Sequence, residues 1–283
     1  FAFVHLIPPH APYTPPPPHR GLYSSWYSGS IEPEATFLSR FPDKRSIEEL
    51  TEEDRRFIRD RYDENVAFAD AQVGALLSIL DSSKRYEDSL VILMSDHGEA
   101  FLEHGRYLHS RMLFREFLHV PLVIKWPRGV SGYEAEVAEP MSLVDLVPTL
   151  EDGLALPAQQ EGYQGRSLIP LVFDGAHRQE PLWATTRRVD TYQKPPRPLE
   201  MLQAGPWKIL DDPLSDSSRI YQIENDPGES QDLSGELPMR TLYLRQALLR
   251  QRTYNRELLQ QAPEPGPIED SDAEIQKQLE ALG

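Results

Sequence analysis

The sequence predicts an α/β fold with a mostly parallel sheet flanked by helices, followed by a small C-terminal antiparallel α+β subdomain. Three continuous apolar runs of strand length indicate the sheet, namely Phe1–Ile7, Leu90–Met94 and Val120–Trp126. Strands that are covered on both faces lose the alternation of polar and apolar residues, which is typical of parallel sheets. Shorter β-like segments separated by Pro- and Asp-rich turns follow Leu171 and indicate the antiparallel part.

A length of 283 residues suits one large domain with a smaller appendage, since domains average about 150 residues. We therefore predict an α/β domain over residues 1–175, an antiparallel subdomain over 176–235, and C-terminal helices with a linker over 236–283. Because an apolar run begins at residue 1, we expect the chain to start inside a domain, with any targeting segment upstream.

A loop over residues 8–46, rich in Pro, Ser, Tyr and Gly, follows the first apolar run. Connections of this length are either functional or disordered. A helix is predicted next, over residues 51–81. Apolar residues recur there at helical spacing, and Thr51 with Asp54 approximates a capping box at its start.

The later elements follow from the same kinds of pattern. The second apolar run stops in Ser-Asp-His-Gly-Glu and the third in Pro-Arg-Gly, and both endings are typical of turns. The remaining predicted elements are a helix over 142–153, β-segments at Leu182–Thr186, Trp207–Leu210 and Ile220–Ile223, a helix over 236–261, a linker over 262–267 and a last helix over 271–282.

Composition excludes several classes of function. The formal net charge is −16, which argues against a protein that binds nucleic acid through phosphate contacts. The sequence contains no cysteine, so its residues supply no disulfide, thiolate zinc ligand or thiol nucleophile. No apolar run in the sequence approaches the roughly 18 residues that a membrane span needs.

Candidate metal ligands directly follow the second apolar run. Asp96 and His97 stand there, and ligands of open α/β sheets bind outside the carboxyl ends of the strands. A carboxylate beside an imidazole can bind a divalent cation, with Gly98 giving the backbone freedom to turn. The alternative is a polar turn in which Asp96 caps the next segment, since two residues alone make an incomplete metal site.

Histidines add a second kind of chemistry. His10 lies between prolines that restrict its backbone, and a positioned histidine can stabilise an anionic oxygen or transfer a proton. The segment after His97 adds two histidines and two arginines that together suit an anion-binding loop in an acidic protein, namely His104, Arg106, His109 and Arg111. Each residue alone is more often structural or solvent-exposed. Their convergence with a metal at one sheet edge favours attack on a sulfate or phosphate ester.

These residues resemble the sulfatases of the alkaline phosphatase superfamily. FAFVHLIPPHAPY is similar to the family's His-x-x-x-Pro-His-x-Pro-Tyr segment, and LVILMSDHGEAFLEHG is similar to its metal-binding strand. YLHSRMLFREFLHVPLVIKWPRG resembles the segment that supplies a Lys or His to the sulfate, and RIYQIENDPGESQDLS resembles the small C-terminal subdomain. The resemblance spans nearly the whole chain and implies an alkaline-phosphatase-like fold and a sulfuric ester hydrolase.

The resemblance also implies roles for individual residues. Asp96 and His97 would ligate a divalent cation, with Ca²⁺ expected before Mn²⁺, Mg²⁺ or Zn²⁺. His10 and His109 would be catalytic residues that contact the sulfate, and Arg106 is expected to bind substrate beside them. The implied partner is a small-molecule or glycan sulfate ester. The resemblance favours a periplasmic or secreted location.

The sequence departs from the family at the nucleophile. It contains neither the family's N-terminal pair of metal-binding Asp residues nor a Cys/Ser-x-Pro-x-Arg motif, whose Cys or Ser becomes formylglycine. We therefore expect the C-terminal part of a sulfatase, which shows no turnover on its own. Two alternatives stay open: a phosphoethanolamine transferase or phosphatase of the same superfamily, and a catalytically inactive binding homologue.

Overall fold

The chain is described by a computed structural model over residues 1–31, 50–109, 112–156, 163–190 and 193–261. In chain order the elements are α1 (Glu52–Ser82), β1 (Val91–Met94), β2 (Ala100–Phe101), β3 (Tyr107–Leu108), α2 (Arg115–Leu118), β4 (Leu122–Lys125), α3 (Leu146–Gly153), α4 (Ile169–Phe173), β5 (Leu182–Asp190), β6 (Gln193–Ala204), β7 (Trp207–Asp212), β8 (Ser217–Gln222) and α5 (Pro238–Gln261). Short 3₁₀ helices lie at Glu103–Gly105 and Leu143–Asp145. Within these ranges no helix is both long and apolar enough to cross a bilayer.

The predicted long helix is confirmed as α1. Its capping box is complete, because the Thr51 hydroxyl accepts from the Asp54 backbone N–H while the Asp54 carboxylate accepts from the Thr51 backbone N–H. Such caps satisfy backbone donors that have no partner within the helix. The face that α1 buries is more polar than the apolar pattern predicts. Its buried residues are Ile58, Arg61, Glu64 and Asn65.

β1 and β4 pair with each other, at nearly the bounds that the sequence predicts. Their register joins Val91 to Lys125 and Met94 to Leu122, and the pair is antiparallel. Every strand pair in the described ranges is antiparallel, so the predicted mostly parallel sheet is not confirmed. An apolar run predicts burial but not strand direction. Parallel neighbours are usually connected by a long helix, and the described part of the segment between β1 and β4 holds a hairpin with a 3₁₀ turn and the four-residue α2.

The prediction of a strand at Phe1–Ile7 is wrong for this structure. These residues form no ladder with any described strand, and the side chains of Phe1, Phe3 and Val4 are exposed. A strand is held by hydrogen bonds to a neighbouring strand, and its backbone groups otherwise bond to water. An apolar run without a described neighbour is therefore irregular here.

A two-stranded hairpin follows β1. β2 and β3 pair in the register that sets Ala100 opposite Leu108, which leaves residues 102–106 as the connection. Tyr107 is buried and packs with Ile58 of α1 in one apolar cluster. The hairpin is therefore packed against α1. Its open end, where Ala100 pairs with Leu108, has a defined position.

The antiparallel strands predicted after Leu171 are confirmed as a four-stranded meander in the order β5-β6-β7-β8. Successive residues of a strand point to opposite faces, and both faces of this sheet are used. One face packs on Leu244 and Leu248 of α5 through Leu202, Ile209 and Ile220. The other face packs on Phe114 and Phe117 of the α2 segment through Met201, Leu210 and Tyr221. The sheet therefore connects α5 to the segment that follows the candidate site.

Other sequence predictions have mixed outcomes. The helix over 142–153 is confirmed as a 3₁₀ turn plus α3, and the helix over 236–261 as α5. β6 was missed because its range carries three prolines, which lack the backbone donor of a strand. Residues 8–31 contain no helix or strand, as predicted for the loop. The rest of that loop, the linker over 262–267 and the helix over 271–282 lie outside the described residues.

Candidate active site

Three histidines from separate segments meet beyond the ends of β1 and β3. The ring of His109 lies 4.8 Å from that of His10 and 4.5 Å from that of His97, centroid to centroid. His10 comes from the Pro-rich loop, His97 from the turn after β1, and His109 from the position after β3. The structure thus brings together histidines that stand up to 99 positions apart in the sequence.

The part of the Pro-rich loop that carries His10 is held against α1 by polar side chains. The amide nitrogen of Asn65 lies 3.2–3.4 Å from three backbone oxygens that it can donate to, those of Pro9, His10 and Pro12. Arg61 donates to the backbone oxygen of Tyr13 at 2.8 Å. Both donors are buried, so the loop backbone is satisfied by the helix rather than by water.

Glu64 anchors a later part of the same loop. Its Oε1 accepts from the backbone N–H groups of Tyr23 and Ser24 at 3.0 and 2.9 Å, and from the Ser24 hydroxyl at 2.7 Å. Burial alone would raise the pKa of Glu64, but these hydrogen bonds outweigh it and hold the pKa below its usual value. The buried polar residues of α1 therefore bind the loop.

The turn after β1 is shaped by the segment around α2. The Gly98 backbone N–H donates to the backbone oxygen of Phe117 at 2.9 Å. A Cβ at position 98 would lie 2.0 Å from the backbone oxygen of Glu116, so only glycine permits this approach. The turn presents Asp96 and His97 outward, with side chains 72% and 40% exposed.

Glu99, a carboxylate that the sequence patterns did not single out, lies behind His109. Its Oε1 is 3.3 Å from His109 Nδ1, an ion-pair distance at which the N–H is not aligned for a hydrogen bond. Its Oε2 accepts from the Tyr13 hydroxyl at 3.0 Å. The contact with this carboxylate raises the pKa of His109, against the opposing effect of burial. Burial, helped by the Glu99 charge, raises the pKa of Tyr13, so its hydroxyl stays a donor.

The three histidines present the same ring edge. The Nδ1 atoms of His10 and His97 face the backbone oxygen of the following residue, at 2.5 and 2.9 Å. A carbonyl oxygen only accepts, so Nδ1 carries the proton in both rings. His109 turns its Nδ1 to Glu99 in the same way. Nε2 is therefore the atom that each ring offers to a ligand.

Asp96 and His97 are suitable types of ligand for a divalent cation, but two ligands are too few to complete its coordination. Their Oδ2 and Nε2 atoms are 3.9 Å apart. One ion bound at roughly 2.0–2.6 Å from each atom can bridge that separation. Such ions take about four to eight ligands. Among the side chains that the structure describes, no group of three or more His, Cys, Asp or Glu could hold an ion. These residues supply part of a donor set.

Arg106 and His104 are not brought to the histidine cluster. Arg106 is exposed at the closed end of the β2–β3 hairpin, whereas His109 follows its open end. His104 stacks on Phe114 with ring centroids 3.5 Å apart, and its Nδ1 lies 2.8 Å from a Glu116 oxygen. Arg111 lies outside the described residues, and among the described residues of the predicted anion-binding loop His109 is the one at the cluster. Substrate binding by Arg106 stays a prediction.

Comparisons with known proteins point to one family. Residues 1–154 match the family model described as Sulfatase. Arylsulfatase K of Danio rerio is 32% identical over 200 residues, which cover 67% of this chain and 36% of that protein. Choline-sulfatase of Rhizobium meliloti (strain 1021) is 31% identical over 188 residues, which cover 66% of this chain and 35% of that protein.

Solved structures show the same fold. Phosphonate monoester hydrolase of Agrobacterium radiobacter aligns with a TM-score of 0.68 at 20% identity, over 87% of this chain and 55% of that one. This likeness shows that the chain shares its fold with a hydrolase. The family model covers more than half of the chain, and the chain belongs to the sulfatase family. The chain spans about a third of the length of the curated relatives it matches.

Proposed function

We propose that this chain supplies the histidine and carboxylate part of the active site of a sulfuric ester hydrolase. The observation that carries the proposal is the cluster in which the His109 ring lies 4.8 Å from His10 and 4.5 Å from His97, with the exposed Asp96 next to His97. Membership of the sulfatase family supports the same reaction. The proposed substrate is a sulfate ester of a small molecule or a glycan.

His109 and His10 have different surroundings, which suit different roles. His109 contacts the Glu99 carboxylate, which favours its cationic form, so its Nε2–H can hold a sulfate oxygen. His10 instead faces a neutral carbonyl oxygen through Nδ1. This contact leaves Nε2 as the ring atom that His10 presents to the ester, so we assign His10 to proton transfer at the ester oxygen.

A divalent cation completes the proposal. Asp96 and His97 would hold it through Oδ2 and Nε2, together with ligands beyond these two, and Ca²⁺ is expected first. When bound, the ion supplies positive charge for the sulfate oxygens. The 3.9 Å separation of these two atoms supports this role, because one ion can contact both.

The reaction is tested with the protein expressed from its complete gene. We expect metal-dependent hydrolysis of an aryl sulfate that exceeds hydrolysis of an aryl phosphonate monoester. His109→Ala and His10→Ala should each lower kcat/KM about 100-fold or more, the usual range for a lost acid–base group. His177→Ala is the matched control, since that exposed ring pairs with Glu139. Equal loss in the control, or preference for the phosphonate, would refute the assignment.

The cation site is tested by binding rather than by turnover. Isothermal titration with Ca²⁺, Mn²⁺, Mg²⁺ and Zn²⁺ should show one site in the parent and at least a tenfold weaker one in Asp96→Ala. Asp88→Ala is the control, because that carboxylate is equally exposed and contacts Arg128. Unchanged affinity in Asp96→Ala would exclude Asp96 as a ligand.

A further inference from the structure

A buried ion pair lies where the C-terminal sheet meets the segment after the candidate site. Lys208 Nζ of β7 donates to Glu229 Oε1 at 2.5 Å, and the two side chains are 4% and 2% exposed. Burial lowers the pKa of Lys208, while its contact with Glu229 opposes that effect. Two charges taken out of water need further hydrogen bonds to be stable. The other hydrogen-bond partners of Glu229 therefore indicate the role of this ion pair.

Glu229 reaches two elements beyond its own subdomain. Its Oε2 accepts from the backbone N–H of Arg115, the first residue of α2, at 3.2 Å. Its backbone oxygen lies 3.0 Å from His104 Nε2, in the connection of the β2–β3 hairpin. Glu229 itself has a φ of +51°, a conformation that non-glycine residues adopt at a cost. Glu229, which follows β8 in the chain, thus contacts both α2 and the hairpin.

α2 in turn supports the turn that carries Asp96 and His97. The backbone oxygen of Phe117 accepts from Gly98, and the backbone oxygen of Glu116 touches the same glycine so closely that no side chain fits there. A shift of α2 would therefore move the turn with it. A continuous series of contacts therefore connects the C-terminal sheet to the candidate site.

We propose that the Lys208–Glu229 pair is a positioning device that sets α2 and, through it, the Asp96–His97 turn. This inference rests on the proposed function for its catalytic consequence, while its structural part stands on the contacts alone. Glu229 and Lys208 touch no substrate. They act through Arg115 and Gly98, and the C-terminal subdomain thereby contributes to the geometry of the site.

The test compares two buried carboxylates on opposite faces of the same sheet. Glu229→Gln removes the charge that faces α2. Glu200→Gln removes a similarly buried charge that accepts from Arg252 of α5 at 2.6–3.1 Å. Hydrogen exchange of the Gly98 amide is the main readout. We expect at least tenfold faster exchange in Glu229→Gln and no change at Gly98 in Glu200→Gln.

A second variant guards against general unfolding. Lys208→Met with Glu229→Gln leaves no buried charge unpaired, so it should fold, yet it should keep the faster exchange at Gly98. In the complete protein, Glu229→Gln should also lower kcat with little change in KM. Equal exchange at Gly98 in parent and both Glu229 variants would overturn the positioning role. Absence of sulfatase activity would refute the proposed function and leave the exchange result standing.

Discussion

Gly98→Ala places a methyl group in the contact between α2 and the turn at the candidate site. The added Cβ would lie 2.0 Å from the Glu116 backbone oxygen and 3.0 Å from its carbonyl carbon. Contacts to a real Cβ begin at 3.0 Å, so the turn and α2 must separate by about 1 Å. Overpacking of this kind typically costs about 1–3 kcal/mol. The Gly98–Phe117 hydrogen bond lies in the same contact and should weaken with it.

Urea unfolding followed by circular dichroism measures this cost, with Gly74→Ala as the matched control. Gly74 lies inside α1 and has open space around its Cβ position, so the same substitution there should stabilise the protein by about 0.5–1 kcal/mol. The two variants therefore shift the unfolding midpoint in opposite directions. A Gly98→Ala midpoint equal to or above that of the parent would refute the close approach of the turn to α2.

Three further substitutions test contacts in other parts of the fold. Thr51→Ala removes the α1 cap and should lower stability by about 1 kcal/mol, as urea unfolding would show, while leaving kcat unchanged. Asn65→Ala leaves the backbone carbonyls around His10 without their donor, so stability should fall by about 1–3 kcal/mol. The value of kcat should fall as well, and an unchanged kcat would disprove the role of Asn65. Arg178→Met leaves the buried Asp145 carboxylate without its cationic partner and should lower the free energy of unfolding by about 3 kcal/mol. The double variant Arg178→Met with Asp145→Asn should recover part of that loss.

Local patterns in the sequence predict the elements well where each pattern has one structural solution. Thr51 and Asp54 mark the start of α1 to the residue, since a capping box has one geometry. Leu90–Met94 predicts β1 within one residue. Strand direction is different, because the same apolar run serves a parallel or an antiparallel neighbour. The prediction of a mostly parallel sheet rests on apolar continuity and on the alternation of strands with helices, and neither signal fixes the direction of a neighbouring strand.

The histidine cluster could be predicted only in part. His97 and His109 stand close in sequence, so their meeting follows from a short hairpin. His10 was expected at the same place because its segment reads as a strand, yet it reaches the cluster as an irregular loop held by Asn65. Long-range hydrogen bonds of this kind leave no periodic trace in a sequence. Glu99 was missed for a similar reason, since its contact with His109 depends on strand register.

The β2–β3 register has a consequence for how this site tolerates changes in length. Glu99 and His109 directly flank the paired residues Ala100 and Leu108, so the strands set their spacing and the five-residue connection does not. Residues inserted within 102–106 would lengthen the hairpin tip and leave the pair facing each other. One residue inserted between Tyr107 and His109 would turn the imidazole to the opposite face. Homologous chains should therefore vary in length at the tip and keep their spacing at the open end.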